Sequence, residues 1–338
     1  MSIALAHTHI PEQKLLDGFD RTFTYLRLSL TDVCNFRCVY CLPHGLSGQR
    51  DSVDPLSVRE VEHLVAGLSQ VGMRKIRLTG GEPLVRKDLL EIVSAVRNIS
   101  DVSNVSLSTN GYRLKPLVPK LKQLGLDAIN ISLDSLSPET FARTTGRPVL
   151  SSVLEGIDAC IENNIESVKL NVVLLRGLND QQLSGFLEFI KDRPVTVRFI
   201  EYMETGGNTD SFVQLRTPAN TIENDVQRLG WQLSPRAHDA GPAREYRHKD
   251  YRGGIGFITP YSRDFCSSCN RLRVTARGEL RLCLFANSGV SLRHLLRSGD
   301  QREELIAFVR SALKSKEVSH YLNARITGAN TSFSQIGG

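Results

Sequence analysis

No stretch of this 338-residue chain approaches the roughly 20 consecutive apolar residues that a membrane-crossing helix needs. Met1 to Gln13 have neither a basic start nor an apolar core, so they do not read as a secretory signal. A cytoplasmic protein without a membrane partner is the expectation. No G-x4-G-K-[ST] loop occurs, so a bound nucleoside triphosphate has to be gripped by side chains instead of a backbone cradle. Gly253-Gly254-Ile255-Gly256 lacks the strand–turn–helix setting of a dinucleotide fingerprint and reads as a turn. Low-complexity segments, internal repeats and long linkers are missing as well. Cysteine is scarce, and its count of seven is odd. Six of these fall into two triplets, which argues for metal ligation in a reducing compartment and against disulfides. Cys160 is left over, at an apolar helix position between Ile157 and Ile161, and reads as a buried structural thiol.

What is present is an ordinary globular composition, 41% hydrophobic and 23% charged. The length suits one large α/β domain, alone or with a compact appendage. Tyr25 to Leu30 alternates leucines with Tyr25, Arg27 and Ser29, the period of a strand. Ser57 and Glu60 form a capping box for a helix whose apolar face is Val58, Val61, Leu64, Val65, Leu68 and Val71, ended by Gly72. The rhythm then repeats. Strands are expected at Lys75 to Thr79, Val105 to Thr109, Ala128 to Asp134, Ser167 to Val173 and Thr196 to Met203. Helices between them span Leu89 to Ile99, about Pro116 to Leu124, Ser152 to Asn163, and Asp180 to Lys191. Six strands separated by helices predict parallel βα units with right-handed crossovers, an incomplete (β/α)6 TIM-like barrel. Active sites of such folds lie at the carboxyl ends of the strands. Beyond Met203 the rhythm breaks. A loop is expected over Gly206 to Ser211, a helix from Thr217 to about Leu229, and short strands near Tyr246 and Gly256. A hairpin, Leu272 to Ala276 and Leu280 to Leu284, turns at Arg277-Gly278, ahead of helices near Leu292 to Arg297 and Gln301 to Lys316.

The strand interiors carry a signal of their own. A parallel strand between covering helices and a packed core is apolar on both faces. Here one face is polar: Arg27; Lys75, Arg77 and Thr79; Ser106 and Ser108; Asn130, Ser132 and Asp134; Lys169 and Asn171; Arg198. The apolar set must face the helices, so the polar set lines a hydrated cavity. Burying its five cations, Arg27, Lys75, Arg77, Lys169 and Arg198, without compensation is prohibitive. They imply a ligand of several negative charges, such as a nucleoside triphosphate, unless some pair with interior acids. Cations inside a barrel cannot follow a duplex backbone, so the net charge of +6 does not point to nucleic acid.

Cys34, Cys38 and Cys41 form a C-x3-C-x2-C run just after the first strand. Thiolates at this density suit iron or zinc. Three ligands are one short of a closed zinc site or an ordinary cubic cluster, so a four-iron cluster held here keeps one iron open to a small molecule. Three plain thiols, or zinc completed by His44, are the alternatives. Cys266, Cys269 and Cys283 read in the same way: a second cluster with an open iron, or a zinc ribbon completed by His248 or His294.

With Tyr40 before its last cysteine, the first triplet resembles the signature of the radical S-adenosylmethionine (SAM) enzymes, and Gly80-Gly81-Glu82-Pro83 is similar to their second motif. Cys266 to Arg273 and Cys283-Leu284-Phe285 resemble the C-terminal cluster region of one branch, the GTP 3′,8-cyclases of molybdenum cofactor biosynthesis. The resemblance runs from about Phe19 to Gly338. It implies two [4Fe-4S] clusters, with SAM on the open iron of the first and the guanine of GTP on that of the second. It implies SAM contacts at Tyr40, Gly81, Ser132 and Met203. GTP contacts are implied at Arg27, Arg77, Ser108, Lys169, Arg271, Leu272 and Arg273, and the strand pattern adds Lys75 and Arg198. Cys34, Cys38, Cys41, Arg271 and Arg273 carry the catalytic roles.

The implied reaction has a 5′-deoxyadenosyl radical take the ribose 3′ hydrogen of GTP. The sugar radical then closes on C8, and one electron and one proton taken up by the ring complete (8S)-3′,8-cyclo-7,8-dihydroguanosine 5′-triphosphate. Implied partners are a low-potential electron donor and a downstream pterin synthase, with room for a homodimer. The double glycine Gly337-Gly338 is expected to enter the active site. The expected division is an N-terminal extension (1–18), a partial barrel (19–205), a C-terminal cluster and substrate region (206–326) and a tail (327–338). A peptide-modifying radical SAM maturase is a rival that the interior cations disfavour. A non-catalytic, metal-stabilised nucleic-acid-binding module is the rival from another class.

Overall fold

Apolar alternation in the strands and apolar stripes in the helices leave one solution, strands side by side with helices packed on their leucine and valine face. The computed structural model describes residues 14–42, 54–236, 240–328 and 333–335. His44 and Gly337-Gly338 lie outside the described residues. The first part of the chain alternates strand and helix: β1 (Tyr25–Ser29), α1 (Val58–Ser69), β2 (Lys75–Thr79), α2 (Leu89–Arg97), β3 (Asn104–Thr109) and α3 (Val118–Gln123). It continues with β4 (Ala128–Ser132), α4 (Pro138–Thr145), α5 (Leu150–Glu162), β5 (Ser167–Leu174), α6 (Leu183–Lys191) and β6 (Val195–Glu201). Each of these strands pairs in parallel with the next. After them come α7 (Thr209–Leu215), α8 (Asn220–Arg228), β7 (Gln232–Leu233), β8 (Arg244–Arg247), β9 (Gly254–Ile258), β10 (Arg271–Val274), β11 (Glu279–Arg281), β12 (Val290–Ser291) and α9 (Arg302–Leu313).

Among the described residues the twelve strands form one sheet in the order β12-β11-β10-β1-β2-β3-β4-β5-β6-β9-β8-β7, not closed on itself. The incomplete barrel is therefore present, and it is wider than its six βα units. β9 lies parallel beside β6 and β10 lies parallel beside β1. Antiparallel strands extend both flanks. The chain beyond Met203 thus supplies both outer edges of the sheet.

The apolar faces do what their spacing requires. Leu26, Leu28, Ile76, Leu78, Val105, Leu107, Ile129, Ile131, Leu170 and Val197 are fully buried and join the helices' apolar residues in one core. Each such side chain contributes roughly 1.5–3 kcal/mol relative to exposure. The capping box at α1 is formed, with Ser57 N–H donating to Glu60 Oε2 (2.8 Å) and Glu60 N–H to Ser57 Oγ (3.3 Å). Cys160 is buried on α5, and burial pushes its thiol up to about 12. Among the described residues no helix is long and apolar enough to cross a membrane.

Five local expectations differ from the structure. The helix α4 was not expected; Ser137 caps it, accepting from Thr140 N–H, and Pro138 opens it. Part of the expected loop at 206–211 is the start of α7, which Asn208 introduces. The Pro116 segment is a 3-10 turn, Lys115–Leu117, that only then continues as α3, and the helix near Leu292 is a single 3-10 turn, Arg293–Leu295. The second hairpin strand stops at Arg281, which leaves Cys283 in the turn that follows.

Candidate active site

The cysteine loop leaves β1 and is fastened on three sides. Gly81 N–H donates to Thr31 O (2.7 Å) and Glu82 N–H to Val33 O (2.8 Å), which holds the β2 exit against the start of the loop. The approach is so close that a Cβ on Gly81 would stand 2.4 Å from Val33 O, and Gly80 takes φ +145°. Arg37 and Val39 N–H donate to Thr145 and Thr144 O at the end of α4 (both 3.0 Å), and Phe36 packs edge-on against Phe141 of that helix. Tyr40 Oη donates to Asp134 Oδ2 (2.8 Å), whose other oxygen accepts from Val173 N–H (2.9 Å). Tyr40 is thus tied through its side chain to the ends of β4 and β5. Glu82 is fully enclosed. It accepts from Leu84 N–H (2.9 Å), Thr109 Oγ1 (2.7 Å) and Asn110 N–H (2.6 Å), and burial nonetheless pushes its carboxyl up to about 7. Asn110 in turn donates to Asn35 Oδ1 in the cysteine loop (2.8 Å).

The polar strand faces line a cavity of about 950 Å³. All five expected cations, Arg27, Lys75, Arg77, Lys169 and Arg198, are on its wall, with Met203. The sheet register shows how they collect. Arg271, Tyr25, Lys75 and Asn104 form one row across β10, β1, β2 and β3, and Arg273, Arg27, Arg77 and Ser106 form the next. In-register neighbours of a parallel sheet point to one face, so three arginines stand side by side at strand spacing. Leu272, between Arg271 and Arg273, faces the core, where it is fully buried. Arg198 donates to Asn171 Oδ1 (3.1 and 2.8 Å), and Lys169 pairs with Glu245 Oε1 at 2.8 Å. Glu245 is the only acid on the wall among the described residues.

The charges strain one another. Burial, then Arg273 and Arg77, holds Arg27 well below the usual guanidinium range. Arg198 is lowered to about 10 by burial and Arg77, and Arg273 to about 10 by burial and Arg271. Burial alone would raise Tyr25, but Arg77, Arg27, Arg198 and Arg271 outweigh it and lower the phenol. The Nε of Arg77 and of Arg273 are buried without a hydrogen-bond partner. Orphaned donors in a crowd of like charges describe a receptor for a polyanion.

Cys266, Cys269 and Cys283 line the same cavity. Burial would raise Cys269, but Arg271 and Lys316 prevail and bring it down to about 7, as suits a thiolate ligand. Lys316 Nζ donates to Leu282 O beside Cys283. Arg21 reaches Cys266 O (3.1 Å), Val318 O (2.8 Å) and Glu317 O (2.7 Å) while paired with Asp17 (2.6 Å), so the segment before β1 braces this triplet. Neither histidine offered as a zinc ligand is at hand. His248 packs on Trp231 and Tyr251, and His294 on Phe308. His320 does line the cavity, but its ring nitrogens are engaged by Pro260 O (2.9 Å) and Leu322 N–H (3.1 Å). Cys41 and Cys283, one from each triplet, pack with Met203 and Tyr261 around Leu284, Phe285, Leu322 and Phe333. Among the described residues no three His, Cys, Asp or Glu converge as they do on a single ion. Each triplet offers three thiols, soft ligands that suit iron or zinc.

The first triplet, Gly81, Ser108 and Ser132 lie outside the lining of this cavity. Ser132 is in register with Asn171 and Arg198, and Ser108 with Asn130 and Lys169. Sequence reasoning missed Tyr25, Glu82, Glu245, Lys316 and Arg21 as site residues. Tyr25 was legible, since it alternates with Arg27. Glu245 and Lys316 depend on distant pairing and gave no local signal.

The sequence signature of the Radical SAM superfamily matches residues 28–190, and that of Molybdenum Cofactor Synthesis C matches residues 195–322. Streptococcus suis SuiB bound to S-adenosylmethionine has a similar fold, with a TM-score of 0.55 at 13% identity over 80% of this chain and 64% of that one. SuiB in a second crystal structure gives a TM-score of 0.54 at 13% identity over 86% of this chain and 68% of that one. Fold, cysteine loop and signature together define a radical SAM protein, a class that uses a [4Fe-4S] cluster and SAM. The GTP 3′,8-cyclase of Yersinia pestis is 46% identical over 326 residues, covering 96% of this chain and 99% of its own. That of Haemophilus influenzae (strain PittGG) is 42% identical over 330 residues, 98% of each chain. The chain belongs to the GTP 3′,8-cyclase family.

Proposed function

We infer that the protein converts GTP to (8S)-3′,8-cyclo-7,8-dihydroguanosine 5′-triphosphate, an early step of molybdenum cofactor biosynthesis. The observation that carries this reading is a single cavity joining two in-register rows of cations to the second cysteine triplet. A triphosphate answers the crowded guanidiniums, and bidentate contacts suit it. The base then extends toward Cys266, Cys269 and Cys283, where a second [4Fe-4S] cluster with an open iron is proposed. Arg273 belongs to the row of Arg27 and Arg77, and Arg271 stands beside Cys269.

Cys34, Cys38 and Cys41 are the proposed ligands of the first cluster, which, when bound, supplies the electron that cleaves SAM to a 5′-deoxyadenosyl radical. Tyr40, Gly81, Ser132 and Met203 are proposed to orient SAM. Gly81 spends its N–H on Thr31, so its part is close backbone approach and its carbonyl. Arg27, Arg77, Ser108, Lys169, Arg271, Leu272 and Arg273, with Lys75 and Arg198, are proposed around GTP; Leu272 has only its backbone to offer. By holding ribose and base still, these residues bring C3′ near the radical and C8 near C3′, the main contribution a protein makes to such chemistry. The proposed division is a partial barrel (19–205), which also supplies cations to GTP, and a C-terminal cluster and substrate region (206–326).

Two cysteine triplets with the spacing of metal ligands support a reducing, cytoplasmic setting. The reaction requires a low-potential electron donor, and its product suits a downstream pterin synthase; a homodimer is an expectation of the family resemblance alone. Anaerobic incubation with GTP, SAM and a reductant, followed by chromatography and mass analysis, tests the reading. The expected products are 5′-deoxyadenosine and an isomer of GTP with a new retention time. Unchanged GTP beside 5′-deoxyadenosine would overturn it in favour of another radical SAM reaction.

A further inference from the structure

A phosphate arriving at Lys169 meets the Glu245 carboxylate already hydrogen-bonded there, like charge against like, and the wall between them is built so that Glu245 reaches the lysine. Ser132, Asn171, Arg198, Gly256 and Glu245 form one row across β4, β5, β6, β9 and β8. Gly256 contributes no side chain to that row. A Cβ there would stand 3.0 Å from Arg198 Cγ and 3.4 Å from Glu245 Cγ, so the glycine clears the path by which the carboxylate crosses β9. Glu245 Oε1 then meets Lys169 Nζ at 2.8 Å. Both side chains are about one quarter exposed, at 27% and 28%, so the pair lies where a ligand in the cavity can compete with it. Arg198, which also faces Glu245, is already oriented by Asn171.

We propose that Glu245 is the cavity's resident counter-anion, which holds Lys169 while the cavity is empty and has to be displaced by an incoming phosphate. The proposal rests on the reading of this cavity as a phosphate site. Its consequence is selectivity by threshold. Every anion that takes Lys169 loses the same amount of affinity to this competition. A triphosphate, anchored by the Arg273, Arg27 and Arg77 row, meets Lys169 at a high effective concentration and still binds. An orthophosphate has no such anchor, and the penalty drives it out. Glu245 therefore clears small anions from a socket that would otherwise hold them.

The test is calorimetric titration of the full chain and its Glu245→Gln variant with inorganic tripolyphosphate and with orthophosphate. Removing a competing carboxylate from a cationic cavity is expected to tighten tripolyphosphate binding about tenfold. Orthophosphate should become a competitor of tripolyphosphate in the variant at concentrations that leave the parent unaffected. Glu245→Ala should give the same sign, and the gain should vanish when Lys169→Met is added. Weaker or unchanged tripolyphosphate binding in both Glu245 variants, with binding intact in the parent, overturns the role of Glu245 alone. Absence of tripolyphosphate binding in the parent and the variants overturns the phosphate reading of the cavity together with it.

Discussion

Glu82 shows how one side chain can hold a motif in shape. Its three accepted hydrogen bonds join the β2 exit to Thr109 and Asn110 at the end of β3, and Asn110 carries the link on to Asn35. Glu82→Gln replaces an acceptor oxygen with a donor, so one buried N–H or hydroxyl loses its partner. The expected cost is about 1–3 kcal/mol in a denaturant titration, with less iron bound at the first triplet after reconstitution. Cys160 behaves in the opposite way. Burial lifts its thiol to about 12, so at pH 8 only on the order of one molecule in ten thousand carries a thiolate. Native protein treated with an alkylating reagent at that pH should show no label on Cys160, and raising the pH through 12 should admit it; rapid labelling at pH 8 would contradict the burial. The buried role of Cys160 was legible from its apolar helix neighbours, and the cavity-facing positions of Arg27, Lys75, Arg77, Lys169 and Arg198 from strand alternation. The partner of Lys169 was not, because Glu245 is brought to it by pairing of strands that are far apart in the chain.

At the scale of elements, sequence periodicity located the six parallel strands within a residue or two, since every one alternates leucine, valine or isoleucine with polar residues. It missed α4, whose Thr and Arg content masks a short apolar face, and this helix anchors the cysteine loop through Thr144 and Thr145. It also read Leu272 to Ala276 as a local hairpin strand. That strand does turn back on β11, yet its other edge lies parallel to β1, which carries Arg271 and Arg273 into the cavity. Hydrogen bonding between edges so distant leaves no mark on local composition. The Gly-Gly run gives the sharpest element-level prediction. Gly81→Ala puts a methyl group 2.4 Å from Val33 O, so β2 and the cysteine loop have to separate. Iron binding at the first triplet should fall while the second is retained; full iron content in the variant would show that the contact yields without consequence.

Across the whole molecule, one cysteine of each triplet, Cys41 and Cys283, packs against a shared apolar cluster with Met203 and Tyr261, and the cationic cavity is lined by the second triplet. Cys34→Ala should therefore abolish SAM cleavage. Cys283→Ala should cleave SAM and yield no cyclised nucleotide, as followed by 5′-deoxyadenosine and GTP-isomer formation in the same samples. Normal cyclisation by the Cys283 variant would remove the second triplet from the mechanism. The central claim is that the strand interiors grip a triphosphate, and Arg77 and Arg273 test it most directly because each has a buried Nε without a hydrogen-bond partner. The measurement is anaerobic calorimetric titration of Arg77→Ala and Arg273→Ala with GTP and with guanosine. Loss of a desolvated charge partner predicts GTP binding weakened at least about tenfold, with guanosine binding changed about twofold or less. Equal losses for the two ligands, or none for GTP, would contradict the account.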